Sequence, residues 1–170
     1  MLETTRLKLV PLTHGQLLLY KNDPEALAHS LGIHYLERQN DPAVANDLQE
    51  AIEFWIAKTK QHPENFEWFT NWEIILNDEN VSVGGIGFAG LPGVDGKSMT
   101  GYGLDIRYYG RGIATEALAA MIQWGFNNPS LQTILADTPL LHVASQRVLI
   151  KNNFVEGTRD ELLIHWSLNR

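Results

Sequence analysis

Between Ala43 and Thr59 the apolar positions Val44, Leu48, Ala51, Ile52, Trp55 and Ile56 recur three and four residues apart, the period of one helix face. His14–Leu31 also reads as helical. Other stretches follow a different period. Arg6–Leu12 alternates in the manner of a strand, with Pro11 suited to its end or edge. Trp68–Leu76 and Val81–Phe88 are strand-like and flank Asn77-Asp78-Glu79-Asn80, a turn composition, so they form a hairpin. Ala89–Ser98, with Gly90, Pro92, Gly93 and Gly96, is a loop that leads into a strand over Met99–Ile106. Gly112–Asn127 returns to helical spacing, with Ala117, Met121 and Trp124 on one face and Leu118, Ile122 and Gly125 beside it. Gln132–Ala136 is a short apolar strand, His142–Asn152 a helix, and Val155–Arg159 and Leu162–Leu168 two closing strands.

The order is therefore β-α-α-β-β-β-α-β-α-β-β. A strand, a crossover helix and a strand in the middle imply one parallel pair inside a mostly antiparallel sheet, a mixed α/β (α+β) architecture. The chain's 170 residues suit one domain spanning 1–170. With 44% hydrophobic and 19% charged residues it can bury a core. The absence of cysteine excludes disulfides, thiolate zinc sites and cysteine nucleophiles, and is compatible with a reducing cytosol. Met1-Leu2-Glu3-Thr4-Thr5-Arg6 lacks the apolar stretch of a signal peptide, and no apolar run approaches the ~18 residues of a membrane span, so a cytoplasmic protein without membrane contact is expected. The net charge of −7 is uneven: residues 1–80 carry 6 Lys/Arg against 13 Asp/Glu, and residues 81–170 carry 7 against 7. No basic stripe points to nucleic acid. The acidic first half suits a cationic amine substrate and, equally, ordinary solubility.

Two glycine clusters compete for a phosphate-binding role. Gly85-Ile86-Gly87-Phe88-Ala89-Gly90 matches G-x-G-x-x-G but lies within and just after a strand, and Leu91-Pro92-Gly93 cannot begin a long helix. Close packing or a bulge explains it better. The second cluster, Arg107-Tyr108-Tyr109-Gly110-Arg111-Gly112-Ile113-Ala114, runs from a strand into a helix. A helix N-terminus offers unpaired N–H groups and the positive end of its dipole, and Gly110 and Gly112 let the backbone approach an anion. Arg107 and Arg111 add charge. No Walker A string and no G-x-S-x-G elbow occurs, and the six histidines show no metal-ligand spacing, so no metal is expected.

Arg107-x-x-Gly110-x-Gly112 with Ala114 resembles the Q/R-x-x-G-x-G/A signature of the GNAT superfamily of N-acetyltransferases. Gly101-Tyr102 with Leu104, Ala114-Thr115-Glu116-Ala117, the opening Glu3–Leu9 and the late segment Ser145-x-Arg147-Val148-Leu149-x-Lys151-x-Asn153-Phe154 are similar to the branch that acetylates ribosomal-protein N-termini. The resemblance implies acetyl-CoA as acyl donor and a primary amine, a protein N-terminus among the candidates, attacking the thioester directly. The cofactor arm would add beside the central strand, splayed from its parallel neighbour, at Leu104, Asp105 and Ile106. The pyrophosphate would lie on the backbone N–H groups of Arg111, Gly112, Ile113, Ala114 and Thr115, near the Arg107 and Arg111 side chains, with His142, Ser145 and Lys151 also contacting the cofactor. The Ile106 N–H would stabilise the oxyanion.

Proton transfer is where this chain departs from the family. The tyrosine that many members use as the acid is Leu149, and Ser145, one turn earlier, takes its place as candidate. The branch's usual glutamate is Met99, which leaves Glu73, acting through water, as candidate base; a solvent-facing strand glutamate is the plainer reading of that residue. Asp105 and Glu116 are further candidates, with support of the first helical turn the plainer role for Glu116. His142 stands where the family has asparagine, and Asn153, where it has glycine, tolerates left-handed backbone. The acceptor pocket would lie over Gly32–Pro42 and Ala89–Ser98, where His34, Tyr35, Trp68 and Trp72 are candidates to line it, a core role being the commoner one for aromatic residues. The departures keep open a catalytically idle CoA-binding or sensing domain, and a different phosphate ligand at the same helix. Dimers occur among relatives, so a homodimer is compatible.

Overall fold

The computed structural model describes residues 1–41 and 45–170. Its sheet has eight strands: β1 (Leu2–Glu3), β2 (Leu7–Pro11), β3 (Trp72–Leu76), β4 (Val81–Phe88), β5 (Lys97–Leu104), β6 (Thr133–Pro139), β7 (Val155–Arg159) and β8 (Leu163–Asn169), in the order β1-β2-β3-β4-β5-β6-β8-β7. All neighbours run antiparallel except β5 and β6. The helices are α1 (His14–Asn22), α2 (Pro24–Leu31), α3 (Ala45–Gln61), α4 (Ile113–Phe126) and α5 (Val143–Lys151). The expected mixed sheet with one central parallel pair is present.

Period-two alternation decides which face is covered. Leu7 and Leu9 of β2, Trp72 and Ile74 of β3, and Ile86 and Phe88 of β4 form one buried cluster with Ile113, Ala117, Leu118 and Met121 of α4 and Leu149 of α5. Each aliphatic side chain in that layer contributes roughly 1.5–3 kcal/mol by leaving water. Alternation along β3 turns Glu73 to the opposite face, and a register shift against β4 at Ile74/Ile75 brings Ser82 to that face as well. A smaller cluster of Leu12, Leu17 and Leu27, with Trp55 and Ile56 against it, ties α1, α2 and α3 together. Among the described residues no helix is long and apolar enough to cross a membrane.

Where elements differ from expectation, local chemistry accounts for it. The single helix expected over His14–Leu31 breaks at Asp23-Pro24, because proline lacks an N–H and restricts the residue before it. Asp23 ends α1 by donating its N–H to Leu19 O and starts α2 by accepting from Ala26 N at 3.0 Å. Pro63–Trp68 is a 3₁₀ turn, so the strand expected from Trp68 begins at Trp72. β5 stops at Leu104 because the Asp105 carboxylate caps a 3₁₀ turn over Ile106–Tyr108. The two-residue β1 has no counterpart in the sequence reading. The expected helix start at Ala43 and Val44 lies outside the described residues, as does Pro42. Asn153, at φ 63, adopts the left-handed conformation after α5.

The first glycine cluster is a packing device. A Cβ on Gly85 would stand 2.1 Å from Asn71 Oδ1, and one on Gly87 2.5 Å from Thr70 O. β3 and the segment before it therefore press directly on β4. Trp68 and Trp72 take the core role, buried and 4.6 and 4.9 Å from Trp124 between ring centroids.

Candidate active site

The parallel pairing of β5 with β6 covers only Lys97–Met99 against Thr133–Leu135, although β5 runs on to Leu104 and β6 to Pro139. Beyond Met99 the two strands part, and β5 keeps its ladder to β4 alone. Ala89 N donates to Met99 O at 2.8 Å and Asp105 N to Val83 O at 2.9 Å, which fixes the alternation. The backbone groups of Gly101, Gly103 and Asp105 face β4, and those of Tyr102 and Leu104 face outward. That free edge is one wall of a cleft of about 300 Å³.

The second wall is the glycine turn. Gly110 and Gly112 have φ of 75 and 77, a left-handed backbone that explains the glycines. Among the described residues, and apart from Gly110 and its chain neighbours, no atom lies within 4 Å of where a Cβ on Gly110 would stand. No side chain caps α4, so the N–H groups of Ile113, Ala114 and Thr115 remain without intrahelical partners. All three residues line the cleft together with Tyr109, Gly110 and Gly112. The turn is braced from outside: Arg6 donates to Arg111 O at 2.9 Å and, through Nε, to Glu116 at 2.7 Å. Glu116 also accepts from Thr4 Oγ1 at 2.6 Å, so it anchors the N-terminal segment to α4 and is no candidate base.

The third wall is α5, which contributes Ser145, Arg147, Val148 and Lys151, with His142 at its cap. His142 Nδ1 accepts the Ser145 N–H at 3.2 Å, fixing the helix start. Tyr102 reaches across from β5, its hydroxyl 2.9 Å from Ser145 Oγ and 3.1 Å from Ser145 O. Burial pushes the Tyr102 phenol up to about 12, against the hydrogen bond to Ser145.

Leu104, Gly110, Gly112, Ile113, Ala114, Thr115, His142, Ser145 and Lys151 thus meet at one cleft. Other expectations need correction. Arg107 points away from the glycine turn: its Nε and Nη2 donate to Asp105 at 2.9 and 2.5 Å, and Nη2 donates to Glu37 O at 2.8 Å. Asp105 is wholly buried, and its N–H serves the β4 ladder, so it offers the cofactor arm no backbone contact. The Arg107 guanidinium, with the Gln39 and Arg107 N–H groups, holds its carboxyl down at about 2 despite burial. The Ile106 N–H donates to Gln39 O at 2.9 Å, so the expected oxyanion donor is already committed. Arg111 lies over the Tyr108 ring, 4.7 Å from its centroid, and 3.6 Å from Glu79. The cations that line the cleft are Arg147 and Lys151, one turn apart on α5.

Glu73 is neither solvent-facing nor in the cleft. It is 1% exposed and accepts from Arg38 Nη2 at 3.2 and 3.0 Å, from Asn71 Nδ2 at 2.5 Å and from Ser82 Oγ. With Tyr20, His34, Tyr35 and Arg38 it lines a separate cavity of about 210 Å³ on the other face of the sheet. A carboxylate already holding those donors has no free lone pair aimed at a substrate. Sequence reasoning missed the Arg38 pairing because 35 residues separate the partners. It also missed Arg147 and Tyr102, although the one-turn spacing to Lys151 and the β5 alternation with Leu104 carried a signal for both.

Residues 6–155 match the family model described as acetyltransferase (GNAT) domain. The uncharacterized N-acetyltransferase YjdG of Bacillus subtilis (strain 168) is 28% identical over 98 residues, and that match spans 58% of each chain. The ribosomal-protein-S5-alanine acetyltransferase of Vibrio fischeri superposes with a TM-score of 0.69 at 19% identity, over 99% of this chain and 95% of that one. RimL, a ribosomal L7/L12 alpha-N-protein acetyltransferase solved in complex with coenzyme A, superposes with a TM-score of 0.68 at 14% identity, over 98% and 95%.

Proposed function

The chain belongs to the acetyltransferase (GNAT) family, and from that membership we propose that it transfers an acetyl group from acetyl-CoA to a primary amine by direct attack on the thioester. The observation that carries this reading is the convergence of three elements on one cleft: the free edge of β5, the uncapped N-terminus of α4 and the cationic side of α5. Gly110 leaves open the space a Cβ would fill, and the donors around it suit a pyrophosphate. The N–H groups of Ile113, Ala114 and Thr115 would hold the phosphates, and Arg147 and Lys151 would balance their charge. The outward backbone groups of Tyr102 and Leu104 would pair with the amides of the pantetheine arm as an added strand. Bound acetyl-CoA supplies the activated acyl group. Ser145 would then give the departing sulfur its proton.

The cleft does not select an acceptor amine, and the named neighbours suggest only where testing should begin. Two of them are named for ribosomal proteins, which makes a protein N-terminus the first class to test. Glu73, Asp105 and Glu116 are each held by other partners, so none of these three carboxylates takes the proton of the amine in this reading. The committed Ile106 N–H favours a second reading, a CoA-binding domain without transferase activity. Release of free thiol from acetyl-CoA, followed over N-terminal peptides and small amines, separates the two. Amine-dependent thiol release supports transfer. CoA binding with no release on any amine supports the idle domain, and absence of binding at millimolar CoA removes both.

A further inference from the structure

We propose that Tyr102 is the second hydroxyl of the proton path: it resupplies, through Ser145, the proton taken by the departing sulfur of CoA. The inference rests on the acetyl-transfer reading above and adds a residue that reading does not need.

Position is the first argument. Tyr102 lies on β5 beyond Met99, where the strand has lost its β6 neighbour and its edge is cleft wall. Its ring spans from there to α5 and places its hydroxyl 2.9 Å from Ser145 Oγ. The serine cannot drift from this contact, because its own N–H is bonded to His142 Nδ1 and its residue sits in the first turn of a helix. Both hydroxyl-bearing residues line the cleft.

Proton counting is the second. Tyr102 has one O–H and two acceptors within reach, Ser145 O at 3.1 Å and Ser145 Oγ at 2.9 Å. When it donates to the carbonyl, the serine proton is free to turn back onto the phenol oxygen. When it donates to Oγ, the serine proton must point elsewhere, and the cleft is the open direction. A rotation about one C–O bond therefore decides whether Ser145 presents a proton to the sulfur. Ser145 O does not depend on the tyrosine, since the i→i+4 bond of α5 also serves it.

Acidity is the third. A serine that gave up its proton alone would be left as an aliphatic alkoxide. A phenol is a stronger acid than an aliphatic alcohol, so the charge is better held on Tyr102. Its hydroxyl stays protonated at neutral pH and is always loaded to donate.

The step balances without another reagent. The amine lone pair forms the N–C bond, and the C–S pair leaves on sulfur. Sulfur takes the Ser145 proton, Ser145 takes the Tyr102 proton, and the phenolate is refilled from the proton that the acylated nitrogen releases to water.

The test uses Tyr102→Phe, Ser145→Ala and the double variant, each first shown to bind CoA. In CoA carrying ¹³C at the methylene next to sulfur, NMR titration reads the bound thiol directly and needs no acceptor amine. A donor path to sulfur favours the thiolate, so the bound thiol should titrate below the ~8.5 of an ordinary thiol. Ser145→Ala should return it upward, and Tyr102→Phe should move it in the same direction. With an active amine in hand, Ser145→Ala should lower kcat by about 100-fold. Tyr102→Phe should lower it by no more than that, and the double variant should be no slower than Ser145→Ala, because two residues in series cannot be lost twice. A tyrosine that only packs the cleft would instead weaken CoA binding and leave kcat and the thiol titration unmoved. CoA bound with a thiol unchanged by Tyr102→Phe overturns the relay alone, as do independent, multiplying effects in the double variant. Failure to bind CoA overturns the acetyl-transfer reading and the relay with it.

Discussion

Replacing Gly110 by alanine separates the backbone requirement of the glycine turn from its use as a phosphate cradle. The residue sits at φ 75 with nothing within 4 Å of an added Cβ, so no clash contributes. The structural cost is the left-handed conformation itself, about 1–2 kcal/mol. For a chain of this size each kcal/mol moves the melting midpoint by about 2–4 °C, so Gly110→Ala should melt roughly 2–8 °C lower. CoA at a hundred times its Kd stabilises the wild type by about 2.7 kcal/mol, a rise of roughly 5–11 °C. The added Cβ occupies the open space over the turn, so the variant should lose most of that rise at the same CoA concentration, about 1.4 kcal/mol for each tenfold loss of affinity. Differential scanning calorimetry with and without CoA measures both quantities. Gly15→Ala on α1, also with open space around the Cβ, is the control; it should gain up to about 1 kcal/mol and keep the full CoA response. A Gly110→Ala variant that melts lower yet responds to CoA as the wild type does would place the phosphates elsewhere.

The remaining expectations concern two buried carboxylates and the pair of cations on α5. Glu73→Ala leaves Arg38 buried without its partner and should cost about 3–5 kcal/mol, read as a lower urea midpoint at unchanged m-value; a loss below 1 kcal/mol would mean the pair is solvated. Asp105 has its carboxyl pKa depressed to about 2, below the ordinary value near 3.9, so its stabilisation is complete above about pH 4 and is lost as pH falls toward 2. Asp105→Asn should flatten that acid limb in pH-dependent denaturation, and an identical limb in the variant would count against the Arg107 pairing. Arg147→Ala with Lys151→Ala should raise the Kd for CoA about tenfold at low ionic strength and less in high salt, by calorimetric titration; an unchanged Kd would remove both from the phosphate site.

Legibility in the sequence followed the range of the interaction. The β4 span and the α4 glycine turn depend on residues a few positions apart and are legible in periodicity and turn chemistry, whereas the left-handed Asn153 follows from the family's glycine at that place. The break at Asp23-Pro24 was just as local and was passed over because the apolar pattern continues through it. The charged residues were harder. Arg107 belongs to a phosphate-binding signature, and charge next to glycine suggests an anion. The nearer carboxylate, two residues back in a buried position, holds it instead. Arg38 and Glu73 lie 35 residues apart, and no spacing announces a pair formed by a loop folding back over a strand.

These relocations share a physical cause. A carboxylate buried on a sheet face must be matched by a cation or by several N–H groups, or the sheet does not form there. Glu73 and Asp105 meet that demand by drawing in Arg38 and the Gln39 N–H, which lie side by side in the segment between α2 and α3. That segment is thereby drawn across the ends of β3 and β5, and its Gln39 carbonyl takes the Ile106 N–H in passing. Arg107 and Asp105 then set the start of the turn that carries Gly110. Glu73 and Asp105, two of the three acidic residues read from sequence as candidates for proton transfer, instead hold the segment between α2 and α3 against the sheet. Of the hydroxyl-bearing residues that line the cleft, Ser145 and Tyr102, 2.9 Å apart, are the pair proposed to carry the proton.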